Sequence, residues 1–256
     1  MRSFYPTWIA PNLLTLSGFL CALFAFFVVS FFDYEFSSNS QFSSSTHTLD
    51  GTDGKQARRT GSSGPVGELF DHGLDSWSVL PFTVTLFSAF GRGEFGLTTQ
   101  SFLCILIGSQ FTFILSHWEK YNTGVLYLPW GYDFSQFNNV YEIVLPLFSS
   151  FTLFIISYFW AEYSPNNISD IDPRVFYCVM STVFSNIACR LIVSQMSSTR
   201  AEAFNGLLGI YCSVFLMCIP GYFSAVYELL LLRVLCIVLI IAHLHYGICL
   251  VCFLIF

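Results

Sequence analysis

Charged side chains are scarce in this chain. They make up 10% of its 256 residues, against 54% hydrophobic and 19% aromatic. That scarcity excludes a water-soluble globular domain, which could not hide so much apolar surface. No internal repeat is present, so repeat architectures are set aside. The first apolar run lacks a small-residue cleavage site and is too long for a leader core, which favours a retained span over a removed signal. The Gly-rich "GRGEFG" after Phe90 lacks a preceding strand and is no evidence for a nucleotide fold. Of the nine cysteines, Cys249 and Cys252 form a CxxC, but it has no second pair and sits in an apolar run, where cysteine acts as a small hydrophobe. No nucleic-acid partner is expected, though the net charge of −6 by itself says little about partners.

What is present is a series of long apolar runs, at a mean hydropathy of +0.63. Crossing a bilayer core takes about 20 mostly apolar residues. Such runs extend over 13–32, 97–118, 143–161, 204–227 and 234–256, with shorter or interrupted ones over 74–90 and 175–196. The expected fold is all-α: a polytopic helical membrane protein of about six or seven transmembrane helices, with residues 1–256 forming a single integral membrane domain. A Ser-rich linker occupies 36–47, and "HWEKY", with His117, Glu119 and Lys120, reads as a solvated helix end.

The exception to all this grease is 48–77, "TLDGTDGKQARRTGSSGPVGELFDHGLDSW". Asp50 and Asp53 stand three apart and Asp71 and Asp75 four apart, so on helices each pair shares one face. Like charges so placed repel unless something positive sits between them, and hard divalent ions such as Mg2+ or Mn2+ resolve that repulsion. Arg58 and Lys55 suit phosphate oxygens, while Gly54 and Ala57 leave room for a ligand to approach the backbone. Gly67 lies one helical turn before Asp71, and Lys55, Arg58 and Arg59 favour the cytosolic side. The arrangement fits two-metal phosphoryl transfer.

Read in order, Asp50-x2-Asp53-Gly54-x2-Ala57-Arg58-x8-Gly67-x3-Asp71-x3-Asp75 resembles the signature of the CDP-alcohol phosphotransferase family at every specified position. The flanking "YPTWIAPNLLTLSGF", "SHWEKYNTG", "LPWGYD" and "QMSSTR" look most like its eukaryotic ethanolaminephosphotransferase branch. That resemblance implies two Mg2+ or Mn2+ ions held by Asp50, Asp53, Asp71 and Asp75. It makes Asp75 the base, with His72 its rival, and builds a cytidine diphosphate pocket from Gly54, Lys55, Ala57, Arg58 and Gly67. The implied substrates are CDP-ethanolamine and diacylglycerol, in an endoplasmic reticulum or Golgi bilayer with the active site facing the cytosol; a homodimer is the implied assembly. A choline or dual-specificity enzyme is the alternative inside the family.

Two departures from the pattern resemble missing internal segments. Ser, Thr, Asn, Gln and His stand where relatives carry the apolar half of the Asp50–Asp53 helix, and "LPWGYDFSQF" passes quickly to "NNVYEIVLPLF". They make an inactive shortened chain a competing expectation.

Overall fold

A computed structural model describes residues 10–34, 36, 64–91, 96–123 and 140–255. Among them are eight helices and no strands. They are α1 (Pro11–Phe32), α2 (Pro65–Phe90), α3 (Thr99–Thr123), α4 (Val140–Tyr163), α5 (Ile168–Ile171), α6 (Pro173–Met196), α7 (Gly206–Cys218) and α8 (Ala225–Ile255). Five of these, α1, α3, α4, α6 and α8, are long and apolar enough to cross a membrane. The chain divides into two compact units, Met1–Thr98 and Thr99–Phe256.

In the first unit, α1 and α2 both begin with proline, whose fixed φ suits a helix start and whose missing N–H costs nothing there. α2 is one continuous helix from the polar stretch through the apolar run, with Pro81 in its interior. Its chain stops at Gly91, which takes φ 69°, a conformation that glycine adopts without penalty. The two helices pack in the same direction. Asn12 lies against Gly67, the Phe19 and Trp77 rings stack at 5.9 Å, Ser88 donates to the buried Asp33 carboxylate, and Phe36 stacks on Phe87 at 4.3 Å. Phe36 and Gly64 therefore sit at opposite ends of the pair, separated by about 33 Å of helix rise.

The second unit is an up-and-down bundle. α3, α6 and α8 run one way: Tyr177 Oη donates to the Thr99 carbonyl near one end, and Tyr121 Oη meets the Ala201 N–H near the other. α4 and α7 run the opposite way, as the pairs Phe154–Phe184 and Trp160–Phe176 require. α6 is the central member; 83% of its most apolar window is buried, against 22% for α8. Its burial explains why a helix carrying Ser181, Thr182, Ser185 and Asn186 remains inside: each finds a partner within the bundle, such as Gln110 for Ser181 at 2.9 Å.

The apolar run 204–227, expected as one span, is broken. α7 ends at Cys218, and Pro220 with Gly221 at φ 76° reverses the chain before α8 begins at Ala225. Proline cannot supply the next helical N–H, and thirteen residues rise only about 20 Å, less than the bilayer core. The residues 225–227 thus lengthen α8 to 31. His117, read as part of a solvated helix end, is 3% exposed and packs on Phe113, because α3 turns that face into the bundle.

One buried carboxylate ties the bundle end formed by the α4–α6 connection. Glu228, 1% exposed, accepts from Trp160 Nε1 at 3.2 Å, Ser164 Oγ at 2.9 Å and Asn166 Nδ2 at 2.6 Å. Beside it Asp172 caps α6 through the Val175 N–H and pairs with Arg233 at 2.9 Å.

Two predictions follow from this packing. Glu228→Ala strands three buried donors and lowers stability by about 3 kcal/mol, with Glu228→Gln losing less because an acceptor oxygen remains; thermal unfolding in detergent reads both. A Cβ at Gly67 would meet Asn12 Oδ1 at 3.4 Å, an ordinary contact. Gly67→Ala accordingly leaves stability within about 1 kcal/mol of the parent, whereas Gly67→Leu drives α1 from α2 and unfolds the protein at a markedly lower temperature.

Candidate metal and phosphate site

The acidic first turns of α2 form a cluster because helical spacing leaves them little choice. Asp71 and Asp75 stand one turn apart, and His72 lies three residues before Asp75, so all three project from neighbouring positions of one face. One ligand atom from each residue lies within 4.8 Å of the others, and all three residues are half-buried. His72 Nδ1 is 3.9 Å from Asp75 Oδ2. Among the described residues this is the one group of three or more such side chains close enough to share an ion.

Electrostatics at this point favour a cation. Burial works against a charged His72, but the nearby carboxylate of Asp75, with the charges of Asp71 and Glu68, raises its pKa above the ordinary value. The imidazole is thus reporting a negative local field. Glu68 in the first turn also benefits from the positive end of the helix dipole. Below the cluster Ser76 is fully buried and bonds back to the Gly73 carbonyl at 2.7 Å, which turns α2 from a polar head into an apolar stem within one turn.

Of the residues singled out in the sequence, the structure brings Asp71, His72 and Asp75 together and sets Gly67 one turn above them. Asp50, Asp53, Gly54, Lys55, Ala57 and Arg58 lie outside the described residues. The sequence reading missed Asn12. Its side chain reaches Gly67 from the first turn of α1, and its only signal was a carboxamide beside Pro11 at the head of a strongly apolar helix. A Cβ at Gly67 would just touch the Asn12 amide, so the position excludes larger side chains at the level of the acidic turns.

Oxygen-rich donors with one imidazole fit a hard or borderline divalent cation, and the close approach of two carboxylates is the feature that such an ion would stabilise. What the cluster can do chemically is hold positive charge against a phosphate at the polar head of a helix that carries on into apolar surroundings.

Comparison with known proteins agrees with this chemistry. Residues 8–164 match the CDP-alcohol phosphatidyltransferase family. The chain is 40% identical to human ethanolaminephosphotransferase 1 over 321 aligned positions, covering 95% of this chain and 81% of that protein. The mouse protein of the same name is 39% identical over the same coverage. Cholinephosphotransferase 1 of Saccharomyces cerevisiae is 28% identical over 90% of this chain and 62% of its own length. An alignment of 321 positions exceeds the 256 residues available, so the human protein carries internal stretches with no counterpart here. The chain belongs to the CDP-alcohol phosphatidyltransferase family, membrane enzymes that use a divalent metal to transfer a phosphoalcohol from a CDP-alcohol to a lipid acceptor.

Proposed function

We propose that this protein transfers phosphoethanolamine from CDP-ethanolamine to diacylglycerol, releasing CMP and forming phosphatidylethanolamine. The observation that carries the reading is the convergence of Asp71, His72 and Asp75 at the polar head of α2, in a chain 40% identical to an ethanolaminephosphotransferase over 95% of its length.

Asp50, Asp53, Asp71 and Asp75 would hold two Mg2+ or Mn2+ ions. When bound, the ions polarise the phosphoryl group and offset charge on the leaving oxygen. Arg58 and Lys55 bind the diphosphate, Arg58 through a two-point fork. Gly54, Ala57 and Gly67 keep the pocket floor low enough for the nucleotide to lie close to the helices. Asp75 accepts the proton of the diacylglycerol hydroxyl as its oxygen attacks the phosphorus nearer the ethanolamine; the bond from that phosphorus to the bridging oxygen breaks, and CMP departs. His72, within reach of Asp75, orients that carboxylate and is the rival proton acceptor.

The location suits both substrates. A charged donor arrives from water and a lipid hydroxyl waits near headgroup level, so a polar helix head in a membrane protein is where they meet. The reading places the site on the cytosolic face of the endoplasmic reticulum or Golgi, in a homodimer. A second reading, an inactive shortened form, draws support from the internal stretches of the human relative that this chain lacks.

The test is conversion of radiolabelled CDP-ethanolamine and diacylglycerol to lipid product by membranes carrying the protein with Mn2+. Asp71→Asn and Asp75→Asn are each expected to lower the rate by about 100-fold or more, and chelation to abolish it. His72→Ala is expected to cost about tenfold, consistent with orienting rather than accepting the proton. A larger loss at His72 than at Asp75 would exchange the two roles. CDP-choline is expected to be the slower donor; equal rates make the enzyme dual in specificity. A folded protein that yields no lipid from either donor establishes the inactive form.

A further inference from the structure

Neither α1 nor α2 carries a lysine or an arginine, yet their shared polar end holds Glu68, Asp71 and Asp75, with His72 as its one basic group. A phosphate drawn to a metal at that end also needs neutral hydrogen-bond donors, because the carboxylates themselves repel it. α1 supplies such a donor. Gly67, Asp71 and Asp75 follow one another at intervals of four, so they occupy one face of α2 with a drift of about 40° per step. Asn12 is seated on that face, its Oδ1 lying 3.4 Å from where a Cβ of residue 67 would stand.

The next polar side chains of α1 are occupied within the helix. Thr15 Oγ1 donates to the Pro11 carbonyl at 3.4 Å, and Ser17 Oγ to the Leu14 carbonyl at 2.8 Å. The Asn12 carboxamide differs from both. It is exposed and makes no hydrogen bond among the described residues, so its two N–H bonds are available to a ligand. Its position is nevertheless fixed. Two turns further along, the stack of Phe19 on Trp77 holds α1 against α2, which keeps the first turn of α1 level with the acidic turns.

Distance along α2 decides which part of a substrate Asn12 meets. Gly67 stands about 6 Å of rise from Asp71 and about 12 Å from Asp75. In the proposed reaction Asp75 faces the acceptor hydroxyl and the phosphorus that it attacks. A group remote from Asp75 and one turn from Asp71 therefore meets the other end of the diphosphate. We propose that the Asn12 carboxamide binds the nucleotide-side phosphate of the CDP-alcohol donor, giving an N–H to one of its oxygens. The identity of the ligand rests on the phosphotransferase reading. Because the contact is with the half that departs as CMP, it is indifferent to which alcohol the donor carries.

The test is titration of the purified full-length chain, in detergent with Mn2+, with CMP, CDP-ethanolamine and CDP-choline, read as the rise in unfolding temperature, alongside the dependence of rate on CDP-ethanolamine. Asn12→Ala is expected to weaken all three nucleotides about tenfold, the loss of one hydrogen bond to a charged group. It raises KM for CDP-ethanolamine by the same factor and leaves kcat within about twofold. Asn12→Asp, equal in size but anionic, weakens the nucleotides further. The ligand-free unfolding temperature and the Mn2+ affinity of Asn12→Ala, the latter read by electron paramagnetic resonance, stay at the parent values. A CMP affinity that Asn12→Ala leaves unchanged overturns the proposal, and so does a loss confined to CDP-ethanolamine, which puts the residue at the alcohol. A parent chain that binds CMP through Asn12 yet forms no lipid defeats the phosphotransferase reading and leaves this contact standing. Full turnover with CMP affinity untouched by Asn12→Ala does the reverse. A parent chain that binds none of the three nucleotides overturns both.

Discussion

Two carboxylates one helical turn apart repel, and at the head of α2 His72 is drawn in beside them. Asp71 and Asp75 are half-buried, with a histidine drawn toward the charged state between them. In water such a pair would cost little. Against an apolar stem that begins at the buried Ser76 it costs more, since screening falls as the surroundings dry out. A site of this kind is stabilised by positive charge, which a divalent metal would supply in the proposed reaction. The chemistry of the family therefore follows from where α2 changes from polar to apolar.

The partnership of α1 with α2 gives that head its shape. The Phe19–Trp77 and Phe36–Phe87 stacks, together with Ser88 on Asp33, hold the pair in parallel along their length and bring Asn12 level with Gly67. The sequence between them, 37–63, holds Asp50 and Asp53 and is rich in serine, not in leucine or phenylalanine. The human relative, with internal stretches that have no counterpart here, has more chain with which to build its version of the fold.

The second unit solves a different problem, that of keeping polar groups inside an apolar bundle. Central α6 carries Ser181, Ser185 and Asn186 on buried faces, and each is answered from a neighbouring element: Gln110 from α3, His243 from α8, Asn205 from the following connection. At one end Glu228 collects three donors, and at the other Arg190 and Glu202 face each other at a small cavity. The first of these ends is fully satisfied and rigidifies. The second is a partly exposed ion pair.

Much of this was legible beforehand, and the divisions are physical. Composition and run length alone determined a helical membrane protein, since only helices and closed barrels satisfy the backbone in lipid and apolar runs of about 20 residues suit helices. The spacing of Asp71, His72 and Asp75 alone determined that they share a face, because helix geometry is local. The break at Pro220–Gly221 was also written in the chain, but the apolar content on both sides masked it. What only the tertiary structure decided depends on partners distant in sequence: the parallel sense of α1 and α2, the Asn12 amide against Gly67, the burial of His117 by the bundle, and the meeting of Arg190 with Tyr246 and Glu202. Hydropathy records how much a residue avoids water, whereas a contact between two helices requires the direction and register in which they pack, and neither is carried by either helix alone.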